Sequence, residues 1–400
     1  MLVYEFKLKG YKHQFAAIDE AIQIGQFIRN KCLRYWMDAP KEEKVNRFSL
    51  NKYCKVLADD PTYPFVAKLN SMARQSMAER AWASISRFYE NCKKKSPGKK
   101  GYPKFKRFSR SIEYKTSGWK LSEDKKTITI TDKTGIGKLR LVGSRDLNYY
   151  QNEQIKRIRL VRRADGYYAQ FCINIERNES VTFTGKQIGL DVGLNHFYTD
   201  SNGNKIENPR YLRKSEKALK RLQKNLSRKH KRGQQQSKRY HKNRLKLRKK
   251  HLKISRQRKD HAIKLARCVC QSNDLIAYED LSVKNLVKNH HLAKSISDAG
   301  WTQFREWIEY FAQLFGKQVV AVAPNYTSQD CSNCGQRVKK SLSVRTHVCS
   351  CGIVLDRDEN AARNILAKAL QILSGGQKLT LRERRISARN KKLSLGKFAR

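Results

Sequence analysis

The first nine residues alternate. Leu2, Tyr4, Phe6 and Leu8 fall on one side, and Glu5, Lys7 and Lys9 on the other. A period of two predicts a strand. From about His13 to Trp36 the apolar period lengthens to that of a helix, with Ala17, Ile18, Ala21, Ile24, Ile28 and Leu33 on one face. Further helices are predicted near Leu50–Leu57 and from about Phe65 to Cys92, the latter after Pro61 and Pro64. Residues 10–95 therefore read as a helical unit that follows one strand.

Residues 111–178 return to strand composition. The segments starting at Thr127, Lys138, Ile155 and Tyr167 are short, β-branched or aromatic, and punctuated by Gly135, Gly137 and Asp165-Gly166. Many short strands predict a small barrel or sandwich. The opening strand is expected to join it, which would make the helical unit an insertion.

The pattern changes again near Lys186. Gln187 to Gly193 reads as a short buried strand carrying Asp191, followed by a hairpin turning at Asn202-Gly203. Two long basic helices fill 211–264, broken near Gly233, with Leu219, Leu222 and Leu226 on a narrow apolar stripe. Leu275–Glu279 is a second buried strand ending on an acid. A helix running to about Phe315 is expected to start at Ser297-Asp298, either of which could cap it. A strand over 317–324 and a helix over 358–373 complete the regular pattern. Alternating strands and helices here predict an α/β layer, so the whole chain is multidomain α+β.

Charge changes the picture most. The 400 residues carry 86 Lys and Arg against 35 Asp and Glu, a net charge of +51. Folding does not need such an excess, because self-repulsion opposes compaction. A polyanionic partner does, and nucleic acid is the first candidate. Residues 211–260 hold 22 Lys and Arg against 2 acids, which is too one-sided for an ordinary solvated hairpin. Residues 93–110 interleave cations with Tyr102, Phe105 and Phe108, either a phosphate- and base-contacting loop or a linker with its rings tucked onto a neighbour. The tail, 374–400, has nine Lys and Arg and one Glu, and reads as disordered. A membrane partner is disfavoured. No apolar run approaches the roughly 20 residues of a spanning helix, and the N-terminus lacks a signal-peptide core. A cytoplasmic setting is expected.

Four of the ten cysteines have metal spacing: Cys331-x2-Cys334 and Cys349-x-Cys351, each pair followed by a glycine. Four thiolates suit a structural tetrahedral Zn2+. The second pair is one residue short of the usual spacing, and His347 is an alternative ligand. Arg337, Lys339, Lys340 and Arg345 can offset the thiolate charge. The other six cysteines, Cys32, Cys54, Cys92, Cys172, Cys268 and Cys270, are scattered, as in a reducing compartment.

Three acids fall at element ends: Asp191, Glu279 and Asp358. Alone, each would be a turn or cap residue, and Asp358 could be the N-cap of its helix. Together they are the set that hard Mg2+ ions need to act on a phosphodiester. Gly193 would leave room for a phosphate beside Asp191. The order strand–Asp, hairpin, helices, strand–Glu, helix, strand, helix–Asp matches a ribonuclease H-like nuclease.

These residues carry a resemblance. Gly189-Leu-Asp-Val-Gly193, Tyr278-Glu-Asp-Leu281, the run from Tyr326 to Gly335 and the run from Leu355 to Ile365 resemble the TnpB (OrfB) family of transposon-encoded proteins, related to the type V CRISPR effector nucleases. Gly101-Tyr-Pro-Lys-Phe105 is similar to the family's linker. The resemblance implies an RNA-guided DNA endonuclease. A guide RNA from the transposon end would pair with target double-stranded DNA beside a short adjacent motif. One RuvC-like site would cut with Mg2+ at Asp191, Glu279 and Asp358, with Asp356 the alternative third acid. It also implies a division of the chain: residues 1–9 and 96–185 a wedge-like β-barrel, 10–95 a helical recognition domain, 186–326 and 356–373 the RuvC-like nuclease domain, 327–355 a zinc ribbon, 374–400 a basic tail. Readers of the adjacent motif are expected around Asn70–Gln75. Asn360 and Asn364, i and i+4 on one helix face, are expected to serve packing. The alternatives are a non-cleaving RNA-guided or DNA-binding repressor or transposition accessory, and a basic structural RNA-binding protein. The latter would explain the charge but not the acids.

Overall fold

A computed structural model of the chain describes residues 2–40, 42–94, 98–177, 179–341 and 343–375. Nearly all of the tail expected to be disordered lies outside the described residues. The chain divides into two compact units, Met1–Arg177 and Asn178–Arg400. No helix among the described residues is long and apolar enough to cross a membrane.

The first unit begins with β1 (Leu2–Lys9), then α1 (Lys12–Asp38), α2 (Arg47–Asp59) and α3 (Ser71–Lys93). Six strands follow: β2 (Ser111–Tyr114), β3 (Trp119–Leu121), β4 (Thr127–Ile130), β5 (Gly137–Val142), β6 (Ile155–Arg163) and β7 (Gly166–Ile173). They form one antiparallel sheet in the order β2-β6-β7-β1-β5-β4-β3, with β1 at its centre. The expected closed barrel is corrected to a curled half-barrel. Closure needs two edges able to share a ladder. Here the edge strand β3 has three residues, and α1 and α3 pack against the other edge, β2. One core joins sheet and helices, with Phe6, Ile18, Ile28, Leu33, Ile112 and Phe171 among its members.

Glu113 on β2 is buried, with 3% of its surface exposed. Arg157 approaches it at 2.8 Å, Arg159 at 2.6 Å and Arg80 at 3.3 Å. Burial alone would raise this carboxyl. Hydrogen bonds from Arg157 and Arg159 and the charge of Arg80 outweigh it and bring the group down to about 2.

The second unit opens with β8 (Gln187–Val192), β9 (His196–Asp200) and β10 (Lys205–Glu207), then α4 (Tyr211–Ser227) and α5 (Lys238–Ser272). After β11 (Leu275–Glu279) come α6 (Val283–Leu286), α7 (His290–Ala299), α8 (Trp301–Phe315) and β12 (Gln318–Val322). The hairpin β13 (Thr346–Val348) and β14 (Val354–Asp356) runs into α9 (Arg357–Leu373). The main sheet has the order β10-β9-β8-β11-β12. Its β8, β11 and β12 are parallel, β9 returns antiparallel to β8, and β10 is antiparallel to β9. Period two splits β11 between the two faces. Ile276 and Tyr278 join the core under α5 and α8, whereas Leu275 and Ala277 join the smaller core with Ile365 and Ala369 of α9.

The helix expected to start at Ser297-Asp298 starts later. Those residues lie within α7, and Gly300 in the left-handed region (φ 73°) breaks the chain before α8. Asp298 is instead buried. It accepts from the Leu212 N–H at 3.0 Å, capping α4 from another element, and from Arg258 Nη2 at 2.7 Å. The basic helices pack through Leu219, Leu247 and Ile254, with Leu222 and Leu226 partly buried beside them.

Candidate active site

Leu190 on β8 pairs with Tyr278 on the parallel β11, so Asp191 and Glu279 are the next residues on neighbouring strands. The ends of parallel strands are where an α/β sheet gathers ligands. α9 adds Asp358 across the sheet. A close approach makes this possible: a Cβ at Gly189 would lie 2.1 Å from the Ala362 carbonyl oxygen. Any side chain there would push α9 off β8. Gly193, expected to leave space for a phosphate, faces its own hairpin, where a Cβ would meet the His196 carbonyl oxygen at 3.1 Å.

Burial, then the charges of Glu279 and Asp358, push the Asp191 carboxyl well above the carboxylate range, and Asp356 adds to this. Burial also raises Glu279, against a hydrogen bond from the Thr327 hydroxyl and the charge of Lys368. Asp356 behaves differently. Burial would raise it, but the hydrogen bond from Lys205 at 2.6 Å and the backbone N–H groups of Asp358 and Glu359 hold it below its ordinary value. Asp356 is therefore the N-cap of α9, accepting from Asp358 N–H at 2.9 Å and Glu359 N–H at 3.4 Å. That corrects the expectation that Asp358 could fill this role. Asp358 keeps its carboxylate free of capping duty, with Arg345 at 3.6 Å.

Hard oxygen ligands from two strand ends and a helix start suit Mg2+. The clustering of like charge around Asp191 is what a bound cation would relieve. The donor chemistry of these acids fits a divalent ion, while their oxygens are not drawn together as closely as the four cysteine thiols.

The four cysteines come together. Their sulfurs all lie within 4.8 Å of one another, the one such group of potential metal ligands among the described residues. Cys331 and Cys351 sulfurs are 3.7 Å apart, and Cys334 and Cys349 sulfurs 3.5 Å. A tetrahedron with ~2.3 Å Zn–S bonds has edges of about 3.8 Å. A disulfide would need about 2.05 Å. The short Cys349-x-Cys351 spacing works because Gly352 turns at φ 85° and donates its N–H to the Cys349 carbonyl at 3.0 Å. The side-chain amide of Asn333, 3.6 Å from the sulfur, and the Ile353 N–H pull the Cys351 thiol down to about 6. His347 is buried outside the cluster with Nδ1 against Lys340, and is not a fifth candidate. Arg337, expected to offset thiolate charge, pairs with Asp330 at 2.9 Å and covers the Tyr326 ring at 3.5 Å.

In the first unit the loop through 104–109 is docked on α1. Gln26 and Asn30 bond its backbone at Arg107, Ser109 and Lys106, with distances of 2.6 to 2.9 Å. Two rings of the 93–110 stretch touch neighbours yet stay exposed: Tyr102 lies against Trp36 and Phe88, and Phe105 under the Arg34 guanidinium. Phe108 is 85% exposed among the cations.

Sequence reasoning missed Thr327, Lys205 and Gly189 as determinants of the site. Thr327 and Lys205 meet their acids only across the fold, so no local pattern marks them.

Residues 170–290 match a family model described as "Probable transposase" (OrfB_IS605), and residues 301–365 match one described as "Cas12f1-like, TNB domain". Over these two stretches the chain is similar to the TnpB family. The first match contains Asp191 and Glu279, and the second contains the four cysteines and Asp358. Among TnpB-like relatives, a Streptomyces pristinaespiralis protein named "Putative RNA-guided DNA endonuclease" is 33% identical over 214 residues, covering 53% of this chain and 52% of that protein. The chain thus matches about half of that relative's length. "Putative RNA-guided DNA endonuclease InsQ" of Escherichia coli (strain K12) is 29% identical over 339 residues, 80% of this chain and 78% of InsQ. A solved structure of a Cas12f1–sgRNA–target DNA complex has a protein of similar fold, with a TM-score of 0.53 at 16% identity over 89% of this chain and 83% of that one. TnpB proteins are related to these type V effectors.

Proposed function

We propose that the chain is an RNA-guided DNA endonuclease that cleaves double-stranded DNA next to a short adjacent motif by metal-dependent phosphodiester hydrolysis. The observation that carries this reading is the convergence of Asp191 with Glu279 and Asp358 at the ends of two parallel strands and the start of a helix. The names of the relatives support the guide and the target. The sheet order β10-β9-β8-β11-β12 supports a RuvC-like, ribonuclease H-type nuclease layer over 186–326 and 356–373. The half-barrel and the helices α1–α3 are assigned wedge-like and recognition roles.

In this mechanism Asp191, Glu279 and Asp358 would hold Mg2+, which would supply positive charge for the charge that develops on the phosphodiester. Thr327 fixes one oxygen of Glu279 through its hydroxyl. Lys205 and the N–H groups at the start of α9 engage Asp356, which leaves Asp358 as the third acid of the set. Cys331, Cys334, Cys349 and Cys351 would hold Zn2+, a cross-link for a ribbon with almost no core of its own. Lys and Arg of α4, α5 and the 104–110 loop neutralise guide and target phosphates.

The test is purification with co-expressed RNA from the element, followed by a cleavage assay on a DNA target library in Mg2+. Guide-dependent cleavage that Asp191→Ala abolishes is the expected result. Guide-dependent binding without nicking would favour the non-cleaving repressor instead.

A further inference from the structure

The thiolates and the carboxylates use separate ligands. Between them lies a set of buried polar side chains. Asn360 is fully buried, at 0% exposed, and its one amide grips both flanks of Cys331. Its Oδ1 accepts from the Ser332 N–H at 2.9 Å, and its Nδ2 donates to the Asp330 carbonyl at 2.9 Å. One turn on, Asn364 donates to the same Asp330 carbonyl at 2.6 Å and to the Thr327 carbonyl at 2.8 Å. The Thr327 hydroxyl in turn donates to Glu279 Oε1. Asp358 sits on the same helix, two residues before Asn360.

Helix packing alone does not require this chemistry. A buried amide that spends both ends on the backbone of one loop locks that loop to its helix. The locked loop begins at the residue that orients Glu279 and ends at a thiolate ligand. Hydrogen bonds therefore connect the Cys331 peptide to Glu279 through Asn364 and Thr327, and to the helix turn that carries Asp358 through Asn360.

We infer that Thr327, Asn360 and Asn364 are positioning residues that couple the thiolate-bound metal to divalent-cation binding at Glu279 and Asp358. Emptying the thiolate site weakens the carboxylate site. This rests on the nuclease reading above. With Cys331 anchored, the loop has one position and Thr327 presents its hydroxyl to Glu279. With Cys331 released, the loop end is tied by the asparagines alone and Glu279 loses its fixed orientation. Partners of this outer kind are worth about 10- to 100-fold in metal affinity.

The test uses the full chain with its co-expressed RNA. Zinc content is measured by atomic emission and Mn2+ affinity by electron paramagnetic resonance, with the Asp191→Asn complex supplying the RNA's own Mn2+ background. Stripping zinc from the wild type is expected to weaken Mn2+ binding about tenfold or more. Thr327→Val is expected to do the same while keeping its zinc, and to lose nothing further on stripping. Thr327→Ser, which restores the hydroxyl, is expected to bind Mn2+ as the wild type does. Equal Mn2+ affinity in loaded and stripped wild type, or in Thr327→Val and wild type, overturns the coupling alone. A zinc-loaded wild type that binds no Mn2+ above background overturns the nuclease reading and the coupling with it.

Discussion

Two acids that lose solvation on folding, one in each unit, are held in opposite ways: Glu113 is buried and Asp191 half-buried. Glu113 in the half-barrel sits among Arg80, Arg157 and Arg159, and its carboxyl is pulled down to about 2. Asp191 in the second unit sits among Glu279, Asp358 and Asp356, and its carboxyl is pushed well up by burial and by those charges. Burial penalises both. The neighbours decide the outcome. A buried carboxylate with its counter-charges in place is part of the framework. One with acids of its own sign nearby, and Arg357 opposing them, carries a repulsion that a cation would relieve.

The largest effect that would break the comparison is on chemistry. Asp191→Asn should lower guided cleavage at least about a thousandfold, the equivalent of ~4 kcal/mol. In the absence of divalent ions the same variant should melt higher than the wild type, because a like charge has gone. A lower melting temperature would show that the acids are already compensated. Glu113→Gln should act the other way. It leaves three guanidiniums without their carboxylate and should cost about 3–5 kcal/mol in denaturant unfolding, with Asp191, Glu279 and Asp358 untouched.

The pH response sharpens the contrast. Glu113 has a depressed value in the folded state, so its contribution is complete above the ordinary value of 4.5 and is lost as pH falls toward about 2. That contribution is about 3 kcal/mol. Hydrogen exchange along β2 and β6 should lose protection in that acid window, and Glu113→Gln should flatten the loss. Added Mg2+ should raise the melting temperature of the wild type by mass action, and should leave Asp191→Asn where it was. The smallest effect concerns the basic loop. Phe108→Ala should weaken RNA binding by about 1–3 kcal/mol if the ring stacks on a base. Tyr102→Ala, which removes a ring packed on Trp36 and Phe88, should instead lower stability. Equal RNA affinity in Phe108→Ala would make the loop a phosphate track without stacking.

Much of the framework was legible because it is written in local periods. The alternation in β1, the helical stripes of α1 and α8 and the leucines of α4 each follow from which face must be buried. The thiolate cluster was legible for a similar reason. Two knuckles, each closed by a glycine, gather their ligands within a few residues, so spacing alone carries the geometry. Asp298 was misplaced because its partners, Leu212, Arg213 and Arg258, lie 40 or more residues away in the chain. The Asn360 and Asn364 pair looked like packing because a helical face shows spacing but not what the face meets.

The chain by itself thus determined the element types, the basic surface and the four thiolates, all of which depend on composition and short-range spacing. Tertiary structure decided what each acid touches. Asp356 and Asp358 stand two residues apart, and no local rule assigns one to capping α9 and leaves the other free. Lys205 on β10 and the turn of β14 into α9 make that choice, and Gly189 lets α9 come close enough for it to matter. A carboxylate's role is set by the charges within a few ångströms of it, and here those charges come from segments more than a hundred residues apart.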